Sequence, residues 1–175
     1  GAMPSSSVRT AVTGSFMPSP PYVELHAHTA FSFLDGASLP DEMAEAAASL
    51  GHSTMAITDH DTLSGSMEFA HAATAAGLRP ITGAELSICA LPAIGIGHAP
   101  DVLHLTLLVQ TATGYANLCR LITRSHANTR SGPDRRAIDP VLPIDALQEH
   151  ADGLVCLSGC ARHGLVPHLL AAGRH

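Results

Sequence analysis

Short apolar runs alternate with amphipathic stretches along this chain. Tyr22-Val23-Glu24-Leu25, Met55-Ala56-Ile57, Leu78 to Thr82, His104 to Val109 and Leu154-Val155-Cys156-Leu157 each read as a strand. Between the first two, Leu39, Met43, Ala46, Ala47 and Leu50 recur at helical spacing. Pro40, Asp41 and Glu42 open that helix and Gly51 stops it. A second helix is expected from about Ser64 to Ala76, ended by Gly77. Strands near Pro80–Cys89 and Val102–Val109 flank a Gly/Pro-rich stretch, Leu91 to Pro100, and read as a hairpin excursion. A third helix, about Thr113 to His126, carries Tyr115, Leu118, Cys119 and Ile122 on one face. A loop from Asn128 to Pro140 leads to a short helix at Ile144–His150, and Leu165–Ala172 reads as helical. This βαβα order predicts an α/β fold with a mostly parallel sheet and helices outside. Periodicity alone does not separate a barrel from an open doubly wound sheet.

Composition adds bounds. The 175 residues suit one domain, and 46% hydrophobic residues suit a globular core. No apolar run approaches the roughly 20 residues of a membrane span, and no secretory signal is evident. Residues 1–20 read as a tag remnant (Gly1-Ala2-Met3) and a mobile Ser/Pro-rich lead, leaving 21–175 as the domain. The formal charge is −6, with all nine basic residues arginine, which disfavours stand-alone nucleic-acid binding. Six aromatic residues offer little for stacking on bases. Cys89, Cys119, Cys156 and Cys160 lack zinc-finger spacing and read as reduced thiols of a cytoplasmic protein.

Candidate chemistry sits where the apolar runs end. His26-Ala27-His28 follows the first run, and alternation puts both imidazoles on one side, with Asp35 seven positions on. Thr58-Asp59-His60 follows the second run, Gly83-Ala84-Glu85 the third, His104 opens the fourth, and Ser158-Gly159-Cys160 follows the fifth. Histidine pairs also occur as plain polar strand surface. Recurrence of ligand types beside successive strands is how an α/β layer or barrel builds a site from strand ends. Such a mixed set suits Zn, Mn or Fe.

In order and spacing, His26-x-His28, Asp35, Thr58-Asp59-His60, Gly83-x-Glu85, His104 and Ser158-Gly159-Cys160 resemble the PHP (polymerase and histidinol phosphatase) superfamily. Glu24 to Ser38, Arg79 to Leu86 and Gly114 to Ile122 look like the N-terminal PHP domain of bacterial C-family polymerases, closest to the error-prone, damage-inducible branch. The resemblance implies a distorted (β/α) barrel with up to three divalent ions at its strand ends. Glu85 would bridge; His26, His28, Asp35, His60, His104 and Cys160 would be terminal ligands. Asp59 would stand behind them, orienting an imidazole, or cap a helix. The chemistry implied is phosphoester hydrolysis, with 3′–5′ exonuclease action in principle. DNA, other polymerase domains and mutagenesis or replication factors are the implied partners, with no membrane.

The chain departs from the family in stopping at His175, before a late Asp-x-His pair that PHP domains supply. It therefore reads as the first two thirds of a barrel, unable to polymerise DNA by itself and prone to self-association unless Leu165, Val166, Leu169 and Leu170 cover the open side. Alternatives are a free-standing PHP phosphatase on a small phosphate ester and a structural PHP module without turnover. Arg120, Arg124, Arg130, Arg135 and Arg136 could touch DNA phosphate or a neighbouring domain, although a solvated face is the commoner role of such a cluster. His52, His71, His98, His126, His150, His163, His168 and His175 lack strand-end context and read as ordinary polar residues, His98 and His163 least securely.

Overall fold

Helical periodicity in the sequence is met by helices at the expected places. The computed structural model describes residues 22–89, 102–127, 129, 138–159, 163–171 and 173. In chain order these form α1 (Pro40–Ser49), β1 (Thr54–Ile57), α2 (Ser66–Ala75), β2 (Arg79–Cys89), β3 (Val102–Val109), α3 (Ala112–His126), α4 (Asp145–Glu149), β4 (Leu154–Cys156) and α5 (Leu165–Ala171). Pro40 opens α1, and the Glu42 carboxylate reaches back to the Leu39 amide at 2.9 Å, satisfying a donor the helix cannot. Thr111 caps α3 by accepting from the Gly114 amide at 3.1 Å. The expectations for residues 1–20 and for Leu91–Pro100 lie outside the described residues, as does most of the loop after Asn128. No helix among the described residues is long and apolar enough to cross a membrane.

The fold is α/β, with strand order β1-β2-β3-β4. The expectation of mostly parallel pairing is corrected: β1 and β2 are parallel (Thr54 opposite Arg79), but β2–β3 and β3–β4 are antiparallel. Parallel neighbours need a long crossover, which α2 supplies between β1 and β2. β2 and β3 have no helix between them among the described residues, and they pair as the hairpin its Gly/Pro-rich connection suggested. The first expected strand, Tyr22–Leu25, shrinks to one parallel bridge, Glu24 opposite Met55. It stays beside β1 through Ala56 N to Glu24 O at 2.9 Å and Thr58 N to Ala27 O at 2.8 Å.

Two apolar clusters hold these layers. One joins α1, α2 and β1 through Ala44, Ala47, Met55, Ile57, Phe69, Ala73 and Leu78. The other packs Ala84, Leu86 and Ile88 of β2 and Leu103, Leu105 and Leu107 of β3 against Leu118 and Leu121 of α3. Period-two alternation then turns Gly83, Glu85 and Ser87, with His104 and Thr106, to the opposite face of the sheet. Gly83 sits where β1, β2 and β3 come closest: a Cβ there would lie 2.7 Å from the Leu107 carbonyl oxygen and 2.9 Å from Thr58 Cγ2.

The buried side of α3 also differs from expectation. Leu118 is buried as foreseen, but Gly114, Asn117, Leu121 and Ser125 join it, while Tyr115 is exposed and Cys119 only half-buried. A Cβ on Gly114 would come 1.8 Å from the Gly153 carbonyl oxygen, and Asn117 Nδ2 donates to Asp152 O at 2.9 Å. Close approach of Gly114 and the Asn117 side-chain bond to the turn before β4, together with Leu118 and Leu121 in the core, set the rotation of the helix. Of the segment expected to cover the open side, Leu165 is buried, Val166 and Leu169 half-buried and Leu170 exposed.

Candidate metal centre

Glu85 projects from the middle of β2 and is buried, its side chain 3% exposed. Its opposite neighbour on β3 is Thr106, so His104, opposite Ser87, lies diagonally across the same face. His104 Nδ1 is 3.5 Å from Glu85 Oε1. The other carboxylate oxygen faces the segment beside β1: His26 Nε2 lies 2.9 Å from Oε2, His28 Nε2 2.9 Å and His60 Nε2 3.6 Å. His60 follows β1 and bridges in parallel to Glu85. Asp35 closes from its loop, with Oδ2 against His28 Nδ1 and 3.5 Å from His60 Nε2. The imidazoles stand in a row, with ring centroids 5.0 Å (His26–His28), 4.4 Å (His28–His60) and 4.9 Å (His60–His104) apart.

Among the described residues, three trios place one donor atom each within 4.8 Å of one another: His26–His28–Glu85, His28–Asp35–His60 and His60–Glu85–His104. The arrangement fits divalent cations on its own chemistry. His28 Nε2 is buried and, although close to Glu85, makes no aligned hydrogen bond. Rings this close repel one another if several are protonated. Neutral imidazoles and carboxylates around a common point are a ligand set for Zn, Mn or Fe.

Charge in the cluster is arranged around the two acids. Burial would raise the Glu85 carboxyl, but the close imidazoles of His104, His26 and His28 overcome it and hold Glu85 far below the usual carboxylate range. The His28 hydrogen bond likewise lowers Asp35. For His28, burial opposes protonation, but the carboxylate of Glu85 close by and the hydrogen bond and charge of Asp35 outweigh it and raise the ring. The Glu85 hydrogen bond raises His104 against its burial, whereas burial lowers His60 despite Glu85.

Of its two expected roles, Asp59 does not have the helix cap. The residue preceding α2 is Gly65, and the Asp59 oxygens accept from Thr29 N at 2.6 Å, Thr29 Oγ1 at 2.8 Å and Ser32 Oγ at 2.7 Å. Ser32 Oγ in turn accepts from the His60 amide at 3.0 Å. A buried carboxylate thus ties the Asp35 loop to the His60 turn. Gly36 allows the loop to close, since a Cβ there would lie 1.9 Å from the Thr29 carbonyl oxygen.

Two groups escaped the sequence reading. Asp61, at φ 52°, is buried and accepts from Ser87 N at 2.9 Å and Ser87 Oγ at 2.7 Å; burial pushes its carboxyl up against those bonds. His126, set aside as ordinary, places Nε2 2.8 Å from the Asp61 carbonyl oxygen. His163 lies beside the row, its ring 5.5 Å from His104 and its carbonyl accepting from the His104 amide at 2.7 Å. Cys160, Arg130, Arg135, Arg136 and His98 lie outside the described residues. Arg124 is paired with Glu149 at 2.9 Å across α3 and α4, and Arg120 with Asn117.

The chain is similar to the error-prone DNA polymerase of Symbiobacterium thermophilum, 40% identical over 163 residues, covering 87% of this chain and 14% of that protein. The DNA polymerase III subunit alpha of Treponema pallidum is 33% identical over 158 residues, covering 87% of this chain and 13% of that protein. The chain therefore spans about one-seventh of the length of these relatives. A solved amidohydrolase from Chromobacterium violaceum, with bound sulfate and no metal, is 23% identical with a TM-score of 0.47, covering 86% of this chain and 50% of that one. The PHP domain family matches residues 24–175, from the segment before His26 to the end of the sequence, and the chain belongs to it.

Proposed function

We propose that this chain is the N-terminal PHP domain of a bacterial error-prone DNA polymerase, with a phosphoester-hydrolysing metal centre held by His26, His28, Asp35, His60, Glu85 and His104. The observation that carries this reading is the sharing of Glu85, His28 and His60 among the three ligand trios. Cys160 belongs to the same proposed set on the family resemblance. DNA and the other parts of such a polymerase are the proposed partners. Bound divalent ions would supply Lewis acidity toward a phosphoryl oxygen and lower the pKa of a bound water. The chain's own residues do the rest. Glu85 and Asp35 supply negative charge, and the histidines present neutral nitrogens, His60 most readily because burial disfavours its proton. Asp59 fixes the spacing between Asp35 and His60.

Metal content after loading with Zn²⁺ or Mn²⁺, read by mass spectrometry, tests the reading. Loss is expected to be larger for Glu85→Gln than for His26→Ala, because Glu85 serves two trios and His26 one. Equal metal content in the wild type and Glu85→Gln would refute the centre. Hydrolysis of single-stranded DNA by this chain alone is expected to be feeble, since a net charge of −6 repels the substrate. Robust 3′–5′ degradation that survives His60→Ala would place the activity elsewhere.

A further inference from the structure

Asp61 follows His60 directly and is buried, yet it belongs to none of the three ligand trios. Its backbone is left-handed, at φ 52°, a region that residues with a side chain seldom occupy, aspartate more often than most. Such a conformation persists only where its neighbours over-determine it, and it is a reason to ask what it serves. Two elements hold it, β2 and α3. The Asp61 amide donates to the Glu85 carbonyl at 2.9 Å, and the Glu85 amide donates to Asp59 O at 3.1 Å. Glu85 is thus gripped through its backbone on either side of His60. The Asp61 carboxylate accepts from Ser87 N at 2.9 Å and from Ser87 Oγ at 2.7 Å. Its carbonyl oxygen accepts from His126 Nε2 at 2.8 Å, at the last residue of α3.

These bonds converge on one part of the cluster. Ser87 lies two residues beyond Glu85 on the same face of β2, and directly opposite His104 on β3. Each of three ligands is therefore one step from Asp61: His60 along the chain, Glu85 through its carbonyl, and His104 across the strands from Ser87. Those three are also one trio, with donor atoms within 4.8 Å of one another. The Asp35 side of the cluster has its own brace in Asp59, through Thr29 and Ser32. Local bonds suffice to close a turn. The His126 bond instead reaches across 65 residues of sequence and fixes where the turn stands relative to α3.

We infer that Asp61 is a positioning residue for the His60–Glu85–His104 trio, held in place by Ser87 and His126, so that the end of α3 sets how tightly this part of the centre grips an ion. The inference rests on the metal reading above and adds to it a route of control. A displacement of α3 would loosen the His104 end of the row and leave the His26 end as it was.

A double-mutant cycle on Co²⁺ binding tests this, read from the visible absorption of the ion, which reports its ligand geometry. His104 serves this trio alone, and His26 serves only the His26–His28–Glu85 trio. His126→Ala is expected to weaken Co²⁺ binding about tenfold, the low end for groups that orient ligands without touching the metal. The same loss should recur in a His26→Ala background and vanish in a His104→Ala background, where the trio is already broken. His126→Gln, whose side-chain amide can donate in place of Nε2, should restore the affinity and the wild-type spectrum. Ser87→Ala removes one hydroxyl from a half-buried position and should reproduce the pattern, which decides the matter if His126→Ala fails to fold. A merely structural bond would weaken binding equally in both backgrounds. That result, or wild-type affinity in both His126→Ala and Ser87→Ala, would overturn the positioning role and leave the metal centre standing. No Co²⁺ uptake by the wild type would overturn the centre itself, and the positioning role with it.

Discussion

Single residues here differ in value by how many partners they satisfy. Asp59 accepts three hydrogen bonds in a buried position, and each donor left unpaired costs about 1–3 kcal/mol. Asp59→Ala should therefore lower stability by about 3 kcal/mol or more in urea unfolding and reduce metal uptake, although Asp59 is outside every ligand trio. Arg124→Ala breaks an exposed pair with Glu149 and should cost less than about 1 kcal/mol. The convergence of His26, His28, Asp35, His60, Glu85 and His104 was legible because alternation and residue chemistry at strand ends bring such side chains to one face. Asp61 and His126 were not, because their link runs through a backbone carbonyl that no side-chain pattern encodes.

At the scale of elements, the helix bounds fell within a few residues of expectation, but the buried faces did not follow the apolar spacing: on α1, Ala44 and Ala47 are buried while Leu39, Ala46 and Leu50 are exposed. The Asp35 loop depends instead on close approach. Gly36→Ala would drive a Cβ into the Thr29 carbonyl, so the loop must open and carry Asp35 away from His28. That variant should lose metal affinity by tenfold or more in calorimetric titration. Gly51→Ala, with a φ of +81° but open space around it, should cost only about 1–2 kcal/mol in backbone strain and leave metal binding intact. The rotation of α3 could not be read from apolar spacing, because Gly114 and Asn117 help to set it through contacts with Gly153 and Asp152. The direction of β3 was legible in its turn chemistry, and the general expectation of parallel pairing gave way to it.

For the whole molecule, proton and metal would compete for one cluster. His28 and His104 are raised in the folded protein. Their protonated pairing with Glu85 thus stabilises the metal-free fold fully below the unfolded histidine pKa of about 6.5 and is lost as pH rises through the folded values. Metal binding has the opposite trend, because it needs deprotonated rings. The rise in melting temperature on adding Zn²⁺ should consequently be larger at pH 8 than at pH 6, read by differential scanning calorimetry. A smaller rise at pH 8 would mean that the histidines do not bind the ion.

Glu85 also sits where β2 changes partners, pairing with β1 through Arg79–Thr82 and with β3 through Gly83–Cys89. Its ligand neighbours come from both sides of that switch: His26, His28 and His60 from the β1 side, His104 from β3. An ion gripping both sides would act as a rivet between the two apolar clusters, forbidding either to open while the other stays shut. Amide hydrogen exchange would reveal it. Without metal, the α1–α2 half and the β3–α3 half should exchange at separate rates; with Zn²⁺ bound, both should slow toward a common rate and unfold as one cooperative unit.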